Sequence, residues 1–496
     1  MQHATWPPLS DSPGKFASFG FAQGDKEYSS THGGITMDKY IANPGELDPD
    51  FGVNGYAYFP SPPGSLYSGA VFSTTLDSAD RISWAGAVKI DQKVFYYFAR
   101  LDAKGVLESD PGFVEIEDPE LDPSLYQGQL FQFISPATPE PDSNYIAQAV
   151  CTTWNGDDWL WHAAIGHYQN NFAALAGFGT KGMILVKPDS QRNANATFTA
   201  PPEQPPTAKP GIESKVPEQL KNRFKDEVSP HTVRSVLLGE NIKTLYASSL
   251  EFQPNSQRLW VALHDARTGA PVTGLGPDGS QSQWLIPSFL GGTFVPWGCC
   301  FFKDGGFVLA GNESAASIVA RYKSNGELDT DFNQTGFIQL ANGSIQVAAD
   351  ESRIIVSQGD SHREAGRPIN LTIRVYHKQT GLPDTQFNGD GVLTIEVDPG
   401  SDIRTLTTES IMLAPDGSIY LAGNLFHVGE STFYQQGVIH KVTQDGRLDA
   451  NFASGGRYLV PEDEFGALRA AHLGSDGLRF ISQLANGDEC AMKLFI

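Results

Sequence analysis

Short apolar runs alternate with clusters of Gly, Asp, Asn and Ser along most of this 496-residue chain. From Ile345 the runs read IQVAAD, RIIVSQGD, NLTIRVYHK and, beyond a turn, GVLTIEV. Their Val, Ile and Thr content and their shortness predict four β-strands. The stretch from Glu409 repeats the pattern as ESIMLAPDG, SIYLAGN, GVIHKVTQDG and RYLVP, again four strands. Asp416-Gly417 between the first two marks a tight hairpin, since both residues tolerate positive φ. Successive antiparallel hairpins follow.

One phrase recurs between the third and fourth strands of these units. It reads GELDPDFGVNGYAYF from Gly45, GELDTDFNQTGFIQL from Gly326, GLPDTQFNGDGVLTI from Gly381 and GRLDANFASGGRYLV from Gly446. Weaker copies begin at Gly105 (GVLESDPGFVEI), Phe172 (FAALAGFGTKGMILV) and Gly269 (GAPVTGLGPDGSQSQWLI). Seven copies span 401 residues, about 67 per unit, the size of a four-stranded propeller blade with its loops. After the last phrase come RYLVP and three more strands, GALRAAHL, LRFISQL and ECAMKLFI, while the first phrase and GYAYF have no strands before them. The two fragments complement each other. The fold class read from this is all-β, a seven-bladed β-propeller in which an N-terminal strand closes the last blade, three strands plus one. Such closure removes two open sheet edges, which an open solenoid would keep.

The phrase LDPDFGVNG with its copies, and the DGSIYLAG type of strand, resemble the bacterial delta-60 repeat family. The resemblance covers residues 45–496, strong in four copies and degenerate near 107, 175 and 272. It implies a β-propeller, and no reaction, catalytic residue or cofactor.

Two stretches depart from the repeat. Residues 1–36 match nothing in it, and Met37 stands shortly before the first phrase, so the segment is read as an N-terminal extension that is disordered or not translated. The propeller is read as one domain over 37–496. Residues 187–230 form a Pro-rich insertion between blades 2 and 3. At its end Leu220, Phe224 and Val228, spaced four apart, predict a short helix.

With 35 Lys and Arg against 57 Asp and Glu the net charge is -22. Nucleic acid and anionic membrane surfaces need a basic face, and they drop out as partners. The first 36 residues hold no basic start followed by an apolar stretch, and no apolar run is long enough to span a bilayer. Neither a Sec signal nor a membrane segment is read. The compartment stays open between cytoplasm and a signal-less export route. Four scattered cysteines form no CxxC pair, and Cys299-Cys300 in an apolar run reads as buried free thiols.

Catalytic signatures such as GxSxG, HExxH and GxxxxGK[ST] are absent. His162 and His167 lie five apart, on opposite faces of a strand, and share no metal. The phrase residues Asp48, Asp329, Asp384 and Asp449 are expected to cap turns, in preference to a calcium site built from Asp48, Asp50 and Asn54. No cofactor is called. In a propeller the second-to-third-strand loops and the blade-to-blade crossings share one rim, opposite the phrase turns. There the loops differ between units, so ligand contacts are expected from Trp154, Asp157, Glu313, His362 and His427. Trp154 offers a platform for a sugar ring or a peptide side chain. The functional reading is a non-catalytic binding or scaffold propeller for a protein, peptide or glycan. The alternative is a propeller hydrolase or lyase whose rim carboxylates and histidines hold a cation. The pattern leaves oligomeric state open.

Overall fold

In the computed structural model, residues 43–496 are described apart from 61–69, 91–92, 111, 116–125, 137–142, 155–158, 187–233, 251–252, 292–293, 361–368, 398–402, 429–432, 462–464 and 485–488. Side chains at 70–72, 87–95, 126–136, 149–154, 159–162, 247–257, 397, 404, 428, 433, 465 and 484 are also outside that description. The expected extension over 1–36 and insertion over 187–230, with its helix, therefore lie outside the described residues.

Seven four-stranded antiparallel sheets make up the fold. Blade 1 comprises β2 (Ala70–Leu76), β3 (Ile82–Ile90), β4 (Lys93–Leu101) and β5 (Val114–Glu115). Blade 2 has β6 (Tyr126–Pro136), β7 (Tyr145–Trp154), β8 (Trp159–Tyr168) and β9 (Met183–Val186). Blade 3 has β10 (Arg234–Leu238), β11 (Asn241–Leu250), β12 (Gln253–Asp265) and β13 (Gln283–Ile286). In blade 4 these are β14 (Phe294–Phe301), β15 (Phe307–Glu313), β16 (Ala316–Tyr322) and β17 (Phe337–Ala341). Blade 5 runs through β18 (Ser344–Ala349), β19 (Arg353–Gly359), β20 (Ile369–His377) and β21 (Val392–Val397). Blade 6 runs through β22 (Ile403–Leu413), β23 (Ile419–Val428), β24 (Phe433–Val442) and β25 (Arg457–Leu459). Blade 7 joins β26 (Phe465–Leu473), β27 (Leu478–Leu484) and β28 (Glu489–Leu494) to β1 (Tyr56–Tyr58), with Tyr56 opposite Met492 and Tyr58 opposite Cys490. The molecule is a seven-bladed β-propeller.

Both faces of each blade are apolar because each packs on a neighbour. Seven clusters of buried side chains each draw on two consecutive blades, so the ring of contacts runs from blade 1 round to blade 7 and back. Between blades 7 and 1 the members include Phe51, Ala57 and Ile481 against Trp84 and Leu101. Between blades 4 and 5, Phe332 and Val319 meet Ile345 and Ile354. Each fully buried side chain of this size contributes about 1.5–3 kcal/mol of transfer free energy.

The phrase explains why the blades lock in sequence. In all seven units its third residue bridges back to the end of the third strand, from Leu47 to Leu494, Leu107 to Leu101, Ala174 to Tyr168, Pro271 to His264, Leu328 to Tyr322, Pro383 to Tyr376 and Leu448 to Val442. The degenerate copies keep this bridge although they lack the Leu-Asp pair. The following aromatic (Phe51, Phe178, Phe332, Phe387, Phe452) is buried at a blade junction. The next residue turns to positive φ and donates its N–H to the following blade's turn: Gly52 to Lys104 O (2.7 Å), Gly179 to Thr268 O (3.1 Å), Gly276 to Asn325 O (2.9 Å), Asn333 to Thr380 O (2.8 Å), Asn388 to Asp445 O (2.9 Å) and Ala453 to Pro44 O (2.9 Å). The last of these crosses from blade 6 to the phrase that completes blade 7. Glycine opens six of the seven phrases because the previous blade's turn presses on it. At Gly446 (φ +83°) a Cβ would lie 2.7 Å from Asn388 N and 3.1 Å from the Phe387 ring.

Candidate functional site

Three of the four expected turn caps, at Asp48, Asp384 and Asp449, are present on the phrase rim. Oδ1 of Asp48 accepts from Asp50 N (3.0 Å), that of Asp384 from Gln386 N (3.1 Å) and that of Asp449 from Asn451 N (3.1 Å). The phrase carboxylates also do a job that the sequence reading missed. Asp48 pairs with Lys493 (2.8 Å), Asp449 with Lys441 (2.9 Å) and Asp329 with Arg321, all on third strands. Blade 1 uses Arg100 and Glu108 (2.6 Å) at this place. The signal was available as a basic residue eight positions before the acid in three blades; in blade 7 the partner comes from the far end of the chain. Burial pushes the Asp449 carboxyl up, but the hydrogen bond from Lys441 and the Asn451 N–H outweigh it and leave it below its ordinary value.

A cavity of about 1250 Å³ opens on this rim between blades 5 and 6, lined by Asp350, Asp384, Asp416, Asp445, Arg353 and His377 among others. Its carboxylates are engaged in their own turns. Asp350 Oδ1 accepts from Ser352 N (2.8 Å) and Arg353 N (2.7 Å), and Asp416 Oδ1 from Ser418 N (2.8 Å). Among the described residues no group of three or more His, Cys, Asp or Glu is arranged to hold a metal ion.

The opposite rim and the channel carry the side chains that differ from blade to blade. First strands approach one another in five of the seven neighbouring pairs of blades, β2 with β6 and β26, β18 with β14 and β22, and β22 with β26, and so line the axis. Five of them carry a β-bulge at one and the same register, opposite Gly86, Ala149, Gly311, Gly423 and Ser482. The extra residues are Phe72, Gln132, Trp297, Glu409 and Arg469. A bulge re-aims a side chain and breaks the free edge of a strand. Because both sheet faces are covered by neighbouring blades, an exposed side chain in mid-strand here looks into the channel.

Glu409 and Arg469, on adjacent blades, are both exposed. Polar neighbours on the first and second strands hold them. Thr407 Oγ1 (2.9 Å) and Asn424 Nδ2 (3.4 Å) donate to Glu409 Oε1, and Arg469 donates to Gln483 Oε1 (2.6 Å). Asn424 also clamps blade 6 to blade 7, donating to Leu468 O (2.9 Å) and accepting from Leu468 N (2.7 Å). Its counterpart in blade 4, Asn312, donates to Gly343 O (3.1 Å) of blade 5. Trp297 packs partly on the core between blades 4 and 5, and its carbonyl accepts from Gln346 Nε2 (3.1 Å). Bulges leave no mark in a single sequence, so this set was not legible there.

The five residues expected to contact a ligand fall as follows. Trp154 ends β7, with its side chain outside the description, and Asp157 and His362 lie outside the described residues. Glu313 requires a correction, because it is 0% exposed. Its carboxylate accepts from Phe289 N (2.7 Å) and Leu290 N (2.8 Å) and so fixes the crossing from blade 3 into β14. A buried carboxylate needs such donors, which makes Glu313 a strut of the rim. His427 is also buried, stacked on Tyr434 at 4.3 Å and 8° between planes. His167 lies away from this rim, at the blade 2–3 junction near the phrase turn, with Nδ1 2.6 Å from Ala266 O. Cys490 is fully buried, whereas Cys299 and Cys300 are only partly so, which corrects the expectation for that pair.

No protein-family model matches this chain, and no curated protein matches its sequence. Solved structures with a similar course include the β-propeller domain of the Trilobed protease from Pyrococcus furiosus (7% identity, TM-score 0.38, 86% of this chain and 96% of that one). Others are the GH93 α-L-arabinofuranosidase of Fusarium graminearum with arabinobiose (8%, 0.37, 74% and 91%) and Drosophila Semaphorin 1b, extracellular domains 1–2 (7%, 0.36, 91% and 88%). Nothing about activity passes from them to this chain.

Proposed function

We propose that the chain is a non-catalytic binding propeller that takes a peptide, protein or glycan ligand at the channel wall and at the rim of the second-to-third-strand loops. One observation supports this above the rest. The backbone repeats the same bulge in five blades, while the residue placed on it changes from Phe to Gln, Trp, Glu and Arg. A fixed frame with varied side chains is how a rigid ring acquires specificity. Reading the chain as a delta-60 repeat propeller is part of the proposal and is supported by the phrase's place at the blade junctions.

A glycan and peptide array probed with the full chain tests it. A ligand class should emerge whose signal falls at least tenfold in Glu409→Gln or Arg469→Gln while melting stays within a degree or two. Binding that neither substitution affects, or turnover of the captured ligand, overturns the reading.

A further inference from the structure

Residues 43–59 complete blade 7 without the covalent turn that ties third to fourth strand in the other six blades. Hydrogen bonds rebuild that turn across the two chain segments. Gly45 N donates to Phe495 O (2.7 Å), Phe495 N to Glu46 O (3.0 Å) and Asp48 N to Lys493 O (2.9 Å). The intact turn of blade 4 has the same three bonds, Gly326 to Lys323, Lys323 to Glu327 and Asp329 to Arg321.

The ion pairs differ in a way that matters for release. Lys493 Nζ contacts Asp48 of the strap (2.8 Å) and also Asp476 of its own blade (2.7 Å). Asp476 in turn holds Arg479 (2.9 Å), which reaches Asp80 of blade 1 (3.6 Å) and is itself fully buried. A chain of alternating charges thus crosses the seam. If the phrase of blade 4 left, Arg321 would lose the carboxylate it pairs with, and a stranded buried charge resists that move. If the strap left, Lys493 would keep Asp476, whose side chain is 52% exposed. The inner strands would stay joined through Thr74 Oγ1 and His472 Nε2 (2.9 Å).

We propose that residues 43–59 are a strap that undocks from blade 7 and redocks as a unit while the other blades stay folded, with Asp476 as the alternative partner that makes release possible. Undocking uncovers the apolar surface on Trp84 and Leu101 that Phe51 and Ala57 cover.

Hydrogen exchange of the full chain, followed by mass spectrometry, tests this. Peptides covering 45–59 should exchange at least tenfold faster than those covering β17 and β21. Lys493→Met should raise the strap rate further and leave the two comparison strands unchanged. Asp476→Asn should lower it severalfold, because Lys493 then depends on Asp48 alone. A purely structural network predicts the reverse for Asp476→Asn, and that result overturns the proposal. So does a strap rate equal to that of β17 and β21. Tyr58→Cys, opposite Cys490 in register, supplies an independent check. Once oxidised, it should abolish the fast exchange; unchanged exchange in the stapled protein also overturns the proposal.

Discussion

The two rims of this ring are built to different rules. On the phrase rim the same bonds recur from blade to blade: a bridge to the third strand, a buried aromatic and an N–H donated to the next turn. On the opposite side what recurs is a backbone irregularity, while the side chains placed there differ. Repetition in side chains marks the work every blade must do, which is to hold its neighbour. Repetition in backbone alone leaves the residue free to answer to something outside the ring.

The largest expected effect comes from the phrase aromatics. Phe332→Ala should cost about 3–5 kcal/mol, seen as a large drop in melting temperature, because Phe332 is fully buried between blades 4 and 5. Ligand binding by the fraction that stays folded should be unchanged.

Next is the ion pair behind the phrase. Arg321→Leu alone should cost about 3–5 kcal/mol by leaving Asp329 buried and unpaired. Blade 3 already carries Leu263 and Val272 at these places, joined by Val272 N to Leu263 O (2.9 Å). Adding Asp329→Val to Arg321→Leu should therefore recover most of the loss in a double-mutant cycle. If the double variant is no better than the single one, the pair is not the cause.

Acid should weaken the ring through three histidines near the phrase-rim ends of their strands. Burial holds His264 at about 4, His440 at about 3 and His472 at about 4, against an ordinary 6.5. Their folded values lie below the unfolded one, so their stabilisation is complete above 6.5 and is lost as pH falls through about 4. Each is worth on the order of 3 kcal/mol across that window. Urea melts at pH 7.5, 5.5 and 4.5 should show a steady fall; equal stability at all three contradicts the burial of these rings.

The smallest effect is at Ala453, which sits at φ 44° where the other junctions use Gly or Asn. Ala453→Gly should stabilise by about 0.5–1 kcal/mol, since a side chain there strains the left-handed turn.

These differences also govern what a reader of the sequence alone can see. The phrase is legible because its residues are dictated by local geometry that every blade shares, so Gly446, Phe452 and Asp449 recur as letters. Degenerate copies stay recognisable by position, as at Pro271, although the ion pair is gone. The site is harder. A bulge is a matter of register between two strands, and nothing in Trp297, Glu409 or Arg469 announces it. Glu313 looked like a rim ligand because loop carboxylates usually face water; its burial follows from two N–H groups of a crossing that lies 23 and 24 residues upstream.

The most direct test of the division is to footprint the bound ligand. Hydroxyl-radical labelling of the full chain, with and without a ligand from the array, should show protection at Trp297, Arg469 and neighbouring first-strand residues, with the phrase rim unchanged. Protection concentrated instead at His377, Pro415 and the cavity between blades 5 and 6 would mean that the repeated rim is the binding face.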